Sequence, residues 1–239
     1  MQNQFSRTEL LIGKDGINKL QNSNVAVFGI GGVGGYVVEA LVRSGLGKIT
    51  IVDNDTVDIS NINRQIIATT KNIGQYKVDV MRERILDINP DVEVKTLKTF
   101  FLPENSNNFD FSQYDYIVDA IDTVKAKIEL VVKSNEYNIP IMSAMGAGNK
   151  LDASKFEVSD IYKTSVCPLA KVMRTELKKR RIKHLKVVYS KETPIKPACE
   201  NIEKNEDNKK RTPGSFAPTP AVMGLIIAGE VVKDLINKS

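Results

Sequence analysis

Four glycines in six residues, Gly29-Ile30-Gly31-Gly32-Val33-Gly34, stand between a short apolar run and a stretch of helical spacing. Few folds use such a turn. Glycine tolerates the sharp reversal from strand to helix, and its missing side chain lets an anion reach the free N–H groups at the helix start. The run before it, 25–30, reads as a buried parallel strand. Val37, Val38, Leu41 and Val42 mark a helix over 33–44, closed by Gly45. This is the GxGxxG fingerprint in the setting that gives it meaning. The bland reading is a turn that serves helix–strand packing alone. Against it stands Asp53, at the end of the next predicted strand, 48–53, where a carboxylate can accept hydrogen bonds from ribose hydroxyls.

The same alternation continues. Helices are expected over 74–89 and 123–137, and strands over 92–97, 114–120 and 140–144. Farther on, strands are expected at 155–160 and 185–190, with helices at 168–181 and 219–237. Residues 192–218 read as a flexible polar loop. The small residues Ala221, Gly224, Ala228 and Gly229 suit the last helix to close packing. The pattern predicts an α/β fold, a Rossmann-like doubly wound and mostly parallel sheet with an irregular, basic C-terminal portion. One domain is expected over 1–239, with a nucleotide-binding core in 1–150 and a basic portion in 151–239.

Composition removes other classes. With 41% hydrophobic and 26% charged residues, the chain can bury a core, which excludes disordered and fibrous proteins. No apolar run reaches the length of a membrane span, and MQNQFSRTEL lacks a signal peptide's apolar stretch. Two cysteines, Cys167 and Cys199, cannot build a disulfide framework or a four-cysteine zinc site. A cytoplasmic location and no membrane partner are expected. Residues 1–150 hold 16 Lys+Arg and 18 Asp+Glu, a net of −2, whereas 151–239 hold 18 and 11, a net of +7. That excess fits either an acidic partner such as nucleic acid or a solvated lysine-rich surface.

The glycine turn does not identify the nucleotide, and a nicotinamide-dependent oxidoreductase would use it equally well. The residues that follow discriminate. Asp53-Asn-Asp55 leads to Asn61, Arg64 and Gln65, then to Lys77 and Asp122. A dehydrogenase has no evident use for this polar run. A phosphate-handling enzyme does: arginine offers a rigid fork, lysine a point charge, and a lone carboxylate beside phosphates is a natural magnesium ligand. Each residue also has an ordinary reading. Arg64 could be a surface ion-pair partner, Lys77 a solvated helix residue, and Asp122 a helix cap.

These residues carry a resemblance. GIGGVGG, the VDNDTVDISNINRQ run, Lys77 in IGQYKVDVM and the AIDT turn resemble the superfamily of ubiquitin-activating enzymes and sulfur-carrier-protein adenylyltransferases. FSRTELLIG, INRQI and YKTSVCPLAKVMR extend the likeness over the whole chain, toward the family of tRNA threonylcarbamoyladenosine dehydratases. The resemblance implies ATP-dependent adenylation of a carboxylate, with Mg2+ and without zinc, since the paired CxxC motifs of the sulfur-carrier enzymes are missing. It implies that Gly29, Gly31, Gly32 and Gly34 cradle phosphate. Asp53, Asp55, Asn61 and Gln65 would hold the nucleotide, Arg64 and Lys77 would stabilise phosphate charge, and Asp122 would bind magnesium. Arg7 would reach the partner subunit's phosphates in a homodimer. The implied partner is tRNA carrying threonylcarbamoyladenosine, with Lys178, Lys179, Arg180, Arg181, Lys183 and Lys186 as the docking surface, and Lys209, Lys210 and Arg211 nearby.

Two departures mark this sequence within that family. Cys167 stands where aspartate is usual, and Gln4 where arginine is common. The alternatives are an adenylyltransferase acting on a sulfur-carrier protein's C-terminal glycine, and an adapter that binds nucleotide without turnover. A sulfur-transfer partner acting through Cys167 or Cys199 would accompany the first.

Overall fold

The structure, a computed structural model, describes residues 3–198 and 213–237. Helix α1 spans Ser6–Asn22, strand β1 Asn24–Phe28, helix α2 Gly34–Arg43 and strand β2 Lys48–Val52. Helix α3 (Lys77–Ile88), strand β3 (Glu93–Leu97), strand β4 (Tyr116–Asp119), helix α4 (Val124–Glu136) and strand β5 (Ile141–Ala144) follow. Strand β6 (Phe156–Asp160), helix α5 (Pro168–Lys179), strand β7 (Lys186–Ser190) and helix α6 (Pro218–Ile236) complete it.

The strands form one seven-stranded sheet in the order β3-β2-β1-β4-β5-β7-β6, parallel except for the antiparallel edge pair β6–β7. The chain winds from β1 outward through β2 to β3, then returns to place β4 on the other side of β1. That reversal opens a crevice at the carboxyl ends of β1 and β4, where a doubly wound sheet binds ligands. Successive side chains in each strand supply both faces. Val25 and Val27 join a core with α2, α3 and α6, whereas Ala26 and Phe28 pack with Phe101, Phe109, Phe111 and α4. A further cluster joins α4 and α5 through Ile128, Val131, Met173, Leu177, Val187 and Tyr189.

Helix α6 lies close against α2. A Cβ on Gly224 would stand 2.5 Å from the Val33 carbonyl oxygen, so the crossing requires glycine there. Gly229 has open space around it and contributes nothing to this approach. Helix α5 ends at Lys179, two residues earlier than the sequence predicts. Arg181 adopts φ +58°, and the Ile182 N–H returns to the Leu177 carbonyl, a left-handed stop usually made by glycine. Helix α1 is not foreseen by the sequence. It breaks at Gly13 (φ 70°), buries Gly16, Ile17 and Leu20, and leaves Leu10 and Leu11 86% and 87% exposed. No helix of the described residues is long and apolar enough to cross a membrane. Within the predicted loop 192–218, residues 192–198 and 213–217 are irregular, and 199–212, with Cys199 and Lys209–Arg211, lie outside the described residues.

Candidate active site

A cavity of about 530 Å³ opens over the carboxyl ends of β1, β2, β4 and β5. Its floor is the glycine turn, with Gly29, Gly31 and Gly32 in the lining. Gly34 lies beneath. A Cβ there would stand 1.8 Å from the Gly29 carbonyl oxygen, so no other residue permits this turn. Gly29 itself has φ +90°, and a Cβ on it would meet the Ala120 carbonyl at 2.7 Å. The turn is thereby packed against the end of β4; the Gly29 and Ile30 N–H groups are taken by the Val52 carbonyl and Asp53, and Gly31, Gly32 and Val33 line the cavity ahead of α2.

Asp53, just after β2, shapes the next wall. One carboxylate oxygen accepts the Ile30 N–H at 2.6 Å and the other the Asp55 N–H at 2.8 Å. Burial lifts this carboxyl above the usual range, against the pull of the Lys77 charge and the two N–H bonds. Lys77, at the first turn of α3, is buried and donates to Asp55 at 2.7 Å. Its buried stem and fixed partner exclude the reading of a solvated helix residue.

Asn61, Arg64 and Gln65 sit on a turn that begins with Asp58 capping a short 3-10 segment, Ile59–Asn61. Among the described residues Arg64 makes no ion pair; its guanidinium donates to the Ser60 carbonyl and to Asn63 Oδ1, each at 2.8 Å. Gln65 is buried, and its Oε1 has no hydrogen-bond partner among the described residues. A buried acceptor left empty beside the cavity is a site for a ligand's donor.

Asp122 follows β4. It does not cap α4, whose first turn has Thr123 at the cap position with no side-chain bond. Its carboxylate is exposed, lines the cavity and, among the described residues, takes only the Thr123 hydroxyl, at 3.3 Å. Below it lies a pair that the sequence does not announce. Lys127 and Asp119 are fully buried and 2.9 Å apart. The signal is Lys127's place on the apolar stripe of α4, between Val124 and Val131.

Two further walls close the cavity. Phe100, beyond β3, is partly exposed and lines the side next to Asp53. Opposite stand Met145, Gly146 and Gly148 after β5, roofed by Pro213–Ser215. The roof is pinned at both ends. Asn149 donates its N–H to the Gly214 carbonyl at 2.8 Å and accepts the Gly214 N–H on Oδ1 at 2.7 Å, while the Asn63 amide donates to the Ser215 carbonyl at 3.1 Å. Cys167 is buried behind Gly146 and does not line the cavity.

The remaining predicted residues lie elsewhere. Arg7 is exposed on α1 and is not part of this chain's cavity wall. Lys178, Lys179, Arg180, Arg181 and Lys183 are exposed around the end of α5, with Lys179 and Arg180 paired to Glu176 at 2.6 and 2.8 Å. Lys186 departs from the expected docking surface. It is half-buried at the start of β7 and bonded to Asp234 and Glu230 of α6 at 2.8 and 2.9 Å, so its charge is committed within the fold. Among the described residues, no group of three or more His, Cys, Asp or Glu could hold a metal alone.

The profile of the ThiF family matches residues 5–239. A Bacillus subtilis protein named tRNA threonylcarbamoyladenosine dehydratase is 47% identical, aligned over 99% of this chain and 96% of its own. The Escherichia coli tRNA N6-threonylcarbamoyladenosine dehydratase, solved in complex with ATP, superposes with TM-score 0.88 at 32% identity, covering 98% of this chain and 93% of that one. The Vanderwaltozyma polyspora adenylyltransferase and sulfurtransferase UBA4 is 38% identical, but over 58% of this chain and 31% of its own.

Proposed function

Because the chain belongs to the ThiF family, we propose that it is an ATP-dependent tRNA threonylcarbamoyladenosine dehydratase acting as a single adenylating domain. One observation carries the reading: the glycine turn, Asp53, Arg64, Lys77 and Asp122, spread over more than 90 residues of sequence, meet in one cavity. No cysteine lines that cavity among the described residues.

In this reading the nucleotide follows the order of the strands. Phosphates rest on the glycine turn at β1, the ribose lies against Asp53 at β2, and the base extends toward Phe100 at β3. Gln65 Oε1, the orphaned acceptor, takes a hydroxyl of the nucleoside. The opposite half of the cavity, beyond β4, receives the threonylcarbamoyl carboxylate. A carboxylate oxygen attacks the α-phosphorus, pyrophosphate leaves, and an acyl-adenylate forms. A nucleophile within the same side chain then attacks the acyl carbon, and AMP departs. Water is thus removed from the modification at the expense of ATP. The second step needs no protein nucleophile, because its reactants are already joined.

Arg64 and Lys77 supply positive charge where negative charge develops on the phosphates. Lys77 is held for this by burial and by Asp55, and Arg64 can turn its fork from neutral oxygen partners to phosphate. A single carboxylate is what magnesium uses beside phosphates, and Asp122 fits because its carboxylate is uncommitted and faces the cavity. When bound there, Mg2+ would supply charge neutralisation at the triphosphate. Arg7, exposed on α1 beside Leu10 and Leu11, acts across a homodimer. The basic end of α5, Lys178–Lys183 without Lys186, docks the tRNA backbone.

The test is incubation with ATP, magnesium and tRNA bearing the linear modification. Nucleoside mass spectrometry is expected to show loss of one water with stoichiometric AMP. An unchanged nucleoside, with pyrophosphate exchange only when a Gly-Gly-ended protein is added, would replace this reading by sulfur-carrier activation.

A further inference from the structure

We propose that Lys127, with Asp119 and Ser143, is a positioning device that sets the aim of Asp122. The inference rests on the reading of Asp122 as the magnesium ligand. Lys127 rises from α4 into the sheet and is fully buried. Its three donors are all used: Asp119 Oδ2 at 2.9 Å, the Ala144 carbonyl at 2.8 Å and the Ile121 carbonyl at 3.1 Å. Asp119 completes the network by accepting the Ser143 hydroxyl on Oδ2 and the Ile121 N–H on Oδ1 at 3.2 Å. One ammonium therefore ties together the ends of β4 and β5, immediately before Asp122 and before the Met145–Gly148 wall.

A buried ion pair is often replaceable by apolar side chains without loss of stability, so stability alone does not account for this one, and its bonds to the ends of two strands point to geometry. Above the turn from Asp119 to Asp122 lies Gly29, packed so closely that a Cβ there would meet the Ala120 carbonyl oxygen at 2.7 Å. Below, the fixed points are the Lys127 bonds to Ile121 and Ala144. With both in place the Asp122 carboxylate, whose one side-chain partner among the described residues is the neighbouring Thr123 hydroxyl at 3.3 Å, takes its aim mainly from its backbone. The network thereby couples two walls of the cavity, the metal side and the acyl side, through a group that touches neither ligand.

The experiment uses the full chain with the double substitution Asp119→Asn and Lys127→Met, which removes both charges together and leaves no lone buried ion. A non-hydrolysable ATP analogue is titrated by fluorescence, with and without Mg2+, and thermal unfolding is recorded. The double variant is expected to melt within a few degrees of wild type and to bind the analogue normally without metal. Its half-saturating Mg2+ concentration, read from the same binding signal, should rise about ten-fold, the effect of losing one good hydrogen bond's worth of alignment. Ser143→Ala, which deletes one hydroxyl, should show a smaller rise and keeps the test if the double variant does not fold. Asp122→Asn is measured alongside. If it leaves the Mg2+ dependence unchanged, the metal assignment to Asp122 falls and this proposal with it. If Asp122→Asn shifts the dependence and the double variant does not, the network alone is refuted. Equal weakening of analogue binding with and without metal would also refute it.

Discussion

At the scale of single residues, the site is made of groups held in unequal ways. Lys77 is buried and fixed by Asp55, whereas Arg64 rests on a carbonyl and an amide that it can leave. Lys77→Ala removes a buried stem but leaves Asp55 largely exposed, and Arg64 holds no ion pair among the described residues, so neither replacement strands a buried charge. Arg64→Ala and Lys77→Ala should each lower turnover on the order of 100-fold or more while the melting temperature stays within a few degrees. Steady-state kinetics with thermal unfolding checks both halves of that expectation. Had either variant unfolded instead, its side chain would belong to the fold and not to the phosphates. Their types and order mark these residues as candidates in the sequence, and the fold brings them to one cavity. Lys127 and Asp119 are not so marked, because a buried ion pair across α4 and β4 leaves no local pattern beyond one lysine on an apolar stripe.

Elements show where periodicity suffices and where it fails. Helices α2, α3 and α4 and the seven strands follow from apolar spacing: the helices bury one face, the central strands are apolar runs buried on both sides, and the edge strand β3 alternates exposed and half-buried residues. Helix α1 buries few side chains and breaks at Gly13, so it has little period to read. Helix α5 shows a different limit: composition announces its basic end, but partners decide how much charge is available. Glu176 already engages Lys179 and Arg180, and surface pairs of this kind are weak enough to exchange for phosphate. Neutralising Lys178, Lys179, Arg180 and Arg181 together should weaken tRNA binding and reduce its salt dependence, by roughly 0.7–0.9 of a logarithmic slope unit for each phosphate no longer neutralised. Filter binding across a salt series measures the slope. An unchanged slope would place the docking surface elsewhere. Replacing Lys186 should instead loosen the joint between β7 and α6, because its partners are Asp234 and Glu230.

For the whole molecule, the two layers of helices are fastened by a small number of charged joints as well as by apolar burial. Glu39 of α2 is buried, which raises its carboxyl, but hydrogen bonds from Arg84 and Arg43 outweigh burial and hold it below the usual value. Glu230 of α6 behaves in the same way: burial raises it and Lys233 and Lys186 bring it below. A carboxyl whose value is depressed on folding adds stability above its unfolded pKa, and that stability is lost as the pH falls through the folded value. The protein should therefore lose stability as pH drops below about 4.5, the ordinary range for glutamate. Glu39→Gln should lower the melting temperature at pH 7 and flatten its fall in acid. Melting curves between pH 7 and 3 measure both, and parallel curves for wild type and variant would show that Glu39 is not one of the joints.

The sequence alone determined the glycine turn, the alternation of strands and helices, and the set of polar residues proposed to handle phosphate. These are local matters, written in spacing, in glycine's conformational freedom and in side-chain chemistry. It also located the charge excess in the C-terminal 89 residues. Only the tertiary structure decided which of those groups are free to act. It committed Lys186 to α6, left Asp122 uncapped and facing the cavity, emptied the acceptor of Gln65, and set Lys127 beneath the turn. The physical reason is common to all four. A polar group's availability depends on what stands within about 3 Å of it, and those neighbours come from segments far away in the chain.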